Sequence, residues 1–174
     1  MSSTLVPILV FAGTFNYLAL TDCEGSCFET RDAPAFVSLS AGRVVHLTDN
    51  IGSEVYFRYG LPMKLGNVQP VLGVSQTDSQ DTWYGAGVQY LGDFDGEAGG
   101  TFFSMSFMPG AYERGDGPDL GMTLEFRSSL EIGYEFDNGM RVALSGDHRS
   151  NADLADTNPG METFQLRFDV PLGR

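Results

Sequence analysis

Met122-Thr123-Leu124-Glu125-Phe126-Arg127-Ser128-Ser129-Leu130-Glu131-Ile132-Gly133-Tyr134-Glu135-Phe136 decides the fold. Its even positions are mostly apolar, while its odd positions carry Glu125, Arg127, Glu131 and Glu135. That alternation is the side-chain period of a strand. Asp137-Asn138-Gly139 follows as a tight hairpin turn, because Asn-Gly accepts the positive φ such turns need. Met140, Val142 and Leu144 then continue the even apolar face, and Arg141, Ser145, Asp147 and Arg149 the polar one. The last segment repeats the pattern, with Phe164, Leu166, Phe168 and Val170 against Thr163, Gln165, Arg167 and Asp169.

Working outward from this stretch, the period of two holds from Ala35 onward. It divides into eight segments, near 35–47, 51–61, 67–76, 82–92, 100–109, 121–136, 139–150 and 162–171. One face is uniformly apolar and the other carries charge of both signs. A soluble sandwich or a lipocalin-like barrel would bury the apolar face, whereas a transmembrane barrel turns it toward lipid and keeps the charges within. Periodicity alone does not separate the two. Two features favour the membrane. The strands approach the ~10 residues needed to cross a bilayer, and aromatics recur near their ends (Tyr56, Tyr59, Trp83, Tyr84, Tyr90, Tyr134, Phe136). An even strand number also permits closure, which leaves no sheet edge in lipid. The reading is all-β, an eight-stranded antiparallel transmembrane β-barrel. The polar stretches 110–120 and 151–161 are its longest outer loops.

Composition narrows the alternatives. The chain has 174 residues and carries 10 Lys+Arg against 23 Asp+Glu, a formal net charge of −13. Nucleic acid is excluded as a partner, since a phosphate backbone requires a basic face. Mean hydropathy is −0.10, and no long apolar run suits a bundle of spanning helices. With 13 Phe, 7 Tyr and 1 Trp the chain is too aromatic for disorder.

Residues 1–22 read as a signal-like or disordered N-terminal segment, and 23–174 as a single β-barrel domain. Met1 to Thr21 is uncharged, and Leu5 to Ala12 looks like the apolar core of a secretory signal, though without a positive n-region. Cys23 and Cys27 are the only cysteines. No further Cys or His lies near enough in sequence to complete a zinc site, so no metal is expected, and a small disulfide loop is the natural reading.

The chemistry concentrates where the seventh segment meets its loop. His148 and Ser150 lie two residues apart, so both face the same side of a strand, the side of Met140, Val142 and Leu144. Glu162 shares parity with Phe164 and Leu166, and an antiparallel hairpin brings it beside them. A serine nucleophile, a histidine base and a carboxylate that orients the histidine make a hydrolytic set. Asn151 is a candidate oxyanion donor. Polar groups on a lipid-facing wall are expensive unless they have a use. The bland alternative is a rim histidine that only hydrogen-bonds headgroups. His46, the other histidine, reads as a rim or lumen residue with no catalytic role.

The string His148-Arg149-Ser150-Asn151-Ala152-Asp153-Leu154, followed by Asn158-Pro159-Gly160-Met161-Glu162, resembles the signature H-x-S-N-A-x-L … N-x-G-x-E of the outer-membrane lipid A 3-O-deacylases (PagL-like). The similarity extends back through Phe136-Asp137-Asn138-Gly139 and Asp119-Leu120-Gly121. It implies an integral barrel of the bacterial outer membrane that hydrolyses the ester-linked acyl chain at position 3 of lipid A. In this resemblance Ser150 is the nucleophile, His148 the base, Glu162 the third member and Asn151 an oxyanion donor. No cofactor is implied. The partners are lipid A or lipopolysaccharide and the surrounding outer-membrane lipid, and a homodimer is left open. Arg149 departs from the pattern where an aromatic is expected; parity sends it inward to the lumen charges or up toward a lipid phosphate. The alternative function is a non-catalytic outer-membrane barrel that binds lipopolysaccharide or has a structural role.

Overall fold

The computed structural model describes residues 29–94 and 99–173, together with Gly13, Thr14 and Tyr17. Apart from those three, the signal-like segment and the Cys23–Cys27 loop lie outside the described residues. Among the described residues ten strands form: β1 (Thr30–Asp32), β2 (Ala35–His46), β3 (Asp49–Gly60), β4 (Met63–Leu65), β5 (Val68–Thr77), β6 (Thr82–Asp93), β7 (Gly100–Glu113), β8 (Leu124–Glu135), β9 (Arg141–Ser150) and β10 (Met161–Leu172). The eight long ones follow the eight periodic segments. Each pairs antiparallel with the next, and β10 pairs back onto β2 from Glu162↔Val45 to Leu172↔Ala35. The sheet is closed, so no backbone edge meets the bilayer.

Three local differences from the sequence reading have physical causes. The short strands β1 and β4, read as connection, pair with each other (Thr30↔Leu65 to Asp32↔Met63) beside the end of β5. Gly110 to Glu113, read as loop, continues β7 because it keeps pairing with β6 (Gly85↔Gly110, Thr82↔Glu113). The turn after β8 stands where the Asn-Gly signal put it, but only Gly139 takes a positive φ, +76°. Gly139 N–H donates to the Phe136 carbonyl at 2.7 Å, and Met140 N–H to Asn138 Oδ1 at 3.0 Å. That is the three-residue hairpin with one left-handed glycine rather than the two-residue form.

The alternation sorts the wall into two faces. Leu130, Ile132, Leu144, Phe164, Leu166 and Phe168 are all 45–65% exposed on the outside. Glu54, Arg58, Arg127, Glu131, Arg149 and Arg167 are at most 1% exposed within. A protein that buries its arginines and exposes its leucines has lipid as its solvent, and the barrel is one that spans the outer membrane. The interior is filled rather than open. Glu54 Oε2 accepts from Arg127 Nη2 at 2.9 Å and Gln165 Nε2 at 2.7 Å, and Arg149 also donates to Glu54. Arg127 Nε donates to Asp147 Oδ2 at 2.7 Å. Glu131 Oε1 accepts from Arg58 Nη1 at 3.0 Å and Arg167 Nη1 at 2.6 Å. Tyr56 and Trp83, read as rim aromatics, belong to this interior: their rings meet edge-on at 6.1 Å, and the Arg127 guanidinium lies 3.7 Å from the Tyr56 ring centre. Their parity matches that of the charged positions, which is why they point inward. Arg149 takes the lumen alternative.

Ala35 and Leu172, which close one end of the β2–β10 seam, lie at the same end of the barrel as the connections 61–67 and 136–140. The other end carries the loops 114–123 and 151–160. Outer-membrane barrels keep short turns on the periplasmic side and long loops outside, so the loop-bearing end faces out.

Candidate active site

At the outward end, the final hairpin pairs His148 with Glu162, while Ser150, on the same side of β9, is 5% exposed and hydrogen-bonded to neither. His148 on β9 stands directly opposite Glu162 on β10, and both share the parity of the lipid-facing wall. The imidazole, with its proton on Nδ1, donates to Glu162 Oε1 at 3.2 Å. The two side chains are 32% and 39% exposed, so the pair sits at the boundary where lipid meets water. The contact commits Nδ1 and leaves Nε2 as the nitrogen able to take a proton. Ser150 ends β9 on the same face as His148, opposite Phe126 of β8. Its Cα lies about 7 Å along the strand from that of His148. Phe126 stacks on Phe107, ring centres 5.5 Å apart, which makes a flat aromatic wall beside the serine.

Asn151 is placed differently from the oxyanion expectation. It is fully buried, and its side-chain amide donates to the carbonyls of Leu120 and Thr157, both at 2.8 Å. Its own N–H donates to Asn158 Oδ1 at 3.1 Å, and Asn158 Nδ2 reaches Asp153 Oδ1 at 2.9 Å. Every donor of Asn151 is therefore occupied in bracing the loop that follows the serine. The neighbouring Ala152 and Asp153 adopt left-handed backbone, φ +56° and +61°.

His46, set aside by the sequence reading, contributes to the site. Its Nδ1 bonds the Gly160 carbonyl at 2.9 Å and ties the end of β2 to the loop between β9 and β10. Gly160 has φ +71°, and a Cβ there would lie 3.1 Å from His148 Cε1. The catalytic-type imidazole thus rests against a backbone segment that His46 holds. The sequence did contain a signal: both histidines fall at or near the ends of strands at the same rim. No group of three or more His, Cys, Asp or Glu among the described residues is arranged to hold a metal ion.

The fold is a closed barrel with arginines in the lumen and a histidine–carboxylate pair on its lipid-facing wall. A family model described as "Lipid A 3-O-deacylase (PagL)" matches residues 51–171, which is most of the barrel. The chain belongs to the PagL family of lipid A 3-O-deacylases. The lipid A deacylase PagL of Pseudomonas aeruginosa is 35% identical over 54 residues, a match covering 31% of this chain and 31% of that protein. The matched stretch thus spans about a third of this curated relative's length. Among solved structures, the crystal structure of the outer membrane enzyme PagL superposes with a TM-score of 0.63 at 20% identity, covering 79% of this chain and 99% of that one. Neisserial surface protein A superposes at 0.53 with 8% identity, covering 83% of this chain and 99% of that one. At these identities both superpositions speak to the fold.

Proposed function

We propose that the chain is a serine esterase that removes the 3-position acyl chain of lipid A in the outer leaflet. The observation that carries this reading is the His148–Glu162 pair on the lipid-facing wall beside Ser150, at the rim where an acyl ester meets the headgroup. Ser150 Oγ attacks the ester carbonyl while His148 Nε2 takes its proton, and Glu162 holds the imidazole tautomer and stabilises the cation. The tetrahedral intermediate collapses as His148 returns that proton to the departing sugar hydroxyl. Water, deprotonated by the same nitrogen, then releases the fatty acid and restores Ser150. Asn151, read as an oxyanion donor, braces the turn that follows Ser150. The acyl chains lie along the apolar strip below, past Leu144 and Phe164.

The test is mass spectrometry of lipid A from cells producing the protein. Loss of one 3-hydroxyacyl chain is the expected result. Unaltered lipid A alongside a correctly folded barrel would favour a binding or structural role instead.

Two substitutions probe the supporting residues. Glu162→Gln removes the charge that stabilises the imidazolium, and kcat should fall about 10²- to 10⁴-fold with the barrel intact. A kcat within twofold of wild type would remove Glu162 from the set. His46→Ala frees the Gly160 segment, and a small displacement of His148 should lower kcat about tenfold with little change in KM. Because His148 is then the sole histidine, its imidazole resonances report the displacement directly. Unmoved resonances would mean that His46 holds the loop without positioning the base.

A further inference from the structure

The arginines of the described barrel are accounted for, with one exception. Arg58, Arg127, Arg149 and Arg167 are locked in the lumen. Arg141 pairs with Glu135, Arg114 with Asp119, and Arg31 donates to the Gly66 carbonyl. Arg43 alone among them has no side-chain partner within the described residues. It lies on β2 with the parity of Leu39 and Ala41, exposed on the lipid-facing wall. Its register is informative. Arg43 stands opposite Phe164 of β10, and Val45, two residues nearer the rim, stands opposite Glu162. Arg43 is therefore rooted one outward-facing row below the histidine–carboxylate pair, two strands away from His148.

An unpaired guanidinium on a lipid-facing wall is costly and marks function when it persists. Its long stem lets the charge rise along the wall to the headgroup level, which is the level of the site. The protein as a whole, at −13, repels an anionic lipid. A fork of guanidinium donors matches the oxygens of a phosphate in bidentate fashion, and phosphate is the anion common to lipid headgroups. We propose that Arg43 binds a phosphate of the lipid substrate and so sets where the scissile ester lies along the wall. The proposal rests on the deacylase reading for its substrate, but its test does not depend on hydrolysis.

The experiment measures binding to the barrel carrying Ser150→Ala, in zwitterionic detergent. Two probes are compared: a monophosphorylated diacyl glucosamine lipid and the same lipid without its phosphate. The phosphorylated lipid should bind about tenfold more tightly, as expected of a charge-assisted contact. Adding Arg43→Gln should erase that difference, and Arg43→Lys should restore part of it. Removing a charge from the lipid-facing wall should not impair folding. A preference that survives Arg43→Gln, or no preference at the outset, overturns the proposal. Inorganic phosphate alone should show no saturable binding. Saturable binding lost with Arg43 would assign a free-anion site and overturn the lipid reading. Wild-type protein that leaves both lipids intact would instead defeat the deacylase function, while the binding difference would still decide the role of Arg43.

Discussion

Ser150→Ala should abolish lipid A deacylation while leaving the barrel folded. Loss of a serine nucleophile removes the covalent route altogether, and the expected fall in kcat is at least about 1,000-fold. The fold should survive because Ser150 Oγ takes no part in the lumen network; the β9 backbone pairs with Phe126 whatever the side chain. The measurement is acyl-chain release from lipid A micelles, with folding checked by electrophoretic mobility of the unheated protein. A variant that still releases fatty acid at a tenth of the wild-type rate or more would show that another group attacks the ester.

The second large effect lies in the interior. Glu54 is the acceptor for Arg127, Arg149 and Gln165, so Glu54→Gln leaves two buried guanidiniums short of their counter-charge. Breaking one side of a buried ion network costs about 3–5 kcal/mol. Glu125→Gln provides the contrast, because neither carboxylate oxygen of Glu125 has a protein partner. Neutralising it should cost far less. Trp83, the only tryptophan, is fully buried in this interior and reports unfolding by fluorescence in urea. Equal losses for the two variants would mean that the Glu54 network contributes no more than an unpaired carboxylate does.

The strand pattern was legible because lipid imposes it. Every second residue must be apolar on the outside, so the parity of Met122 to Phe136 carried directly into the wall. The His148-Ser150-Glu162 grouping was legible for the same reason, since parity and one hairpin suffice to bring these residues to one rim. Contacts that cross the lumen were not. Glu54 sits on β3 and its partners Arg127, Arg149 and Gln165 on β8, β9 and β10, and nothing local in the sequence pairs them. Tyr56 and Trp83 misled because a girdle aromatic and a lumen aromatic differ only by one residue of parity. The surroundings of Asn151 were not legible either: its side-chain amide donates to the carbonyls of Leu120 and Thr157. Backbone carbonyls left over from a loop have no signature in sequence.

The seam between β10 and β2 has a consequence for when the protein becomes active. His148, Ser150 and Glu162 all belong to the β9–β10 hairpin, and the His46 tie to Gly160 comes from β2. The full set of contacts around the imidazole therefore exists only once β10 has zipped to β2. For the proposed esterase, hydrolytic competence would then follow closure of the barrel, and an unclosed chain would meet other lipids unarmed.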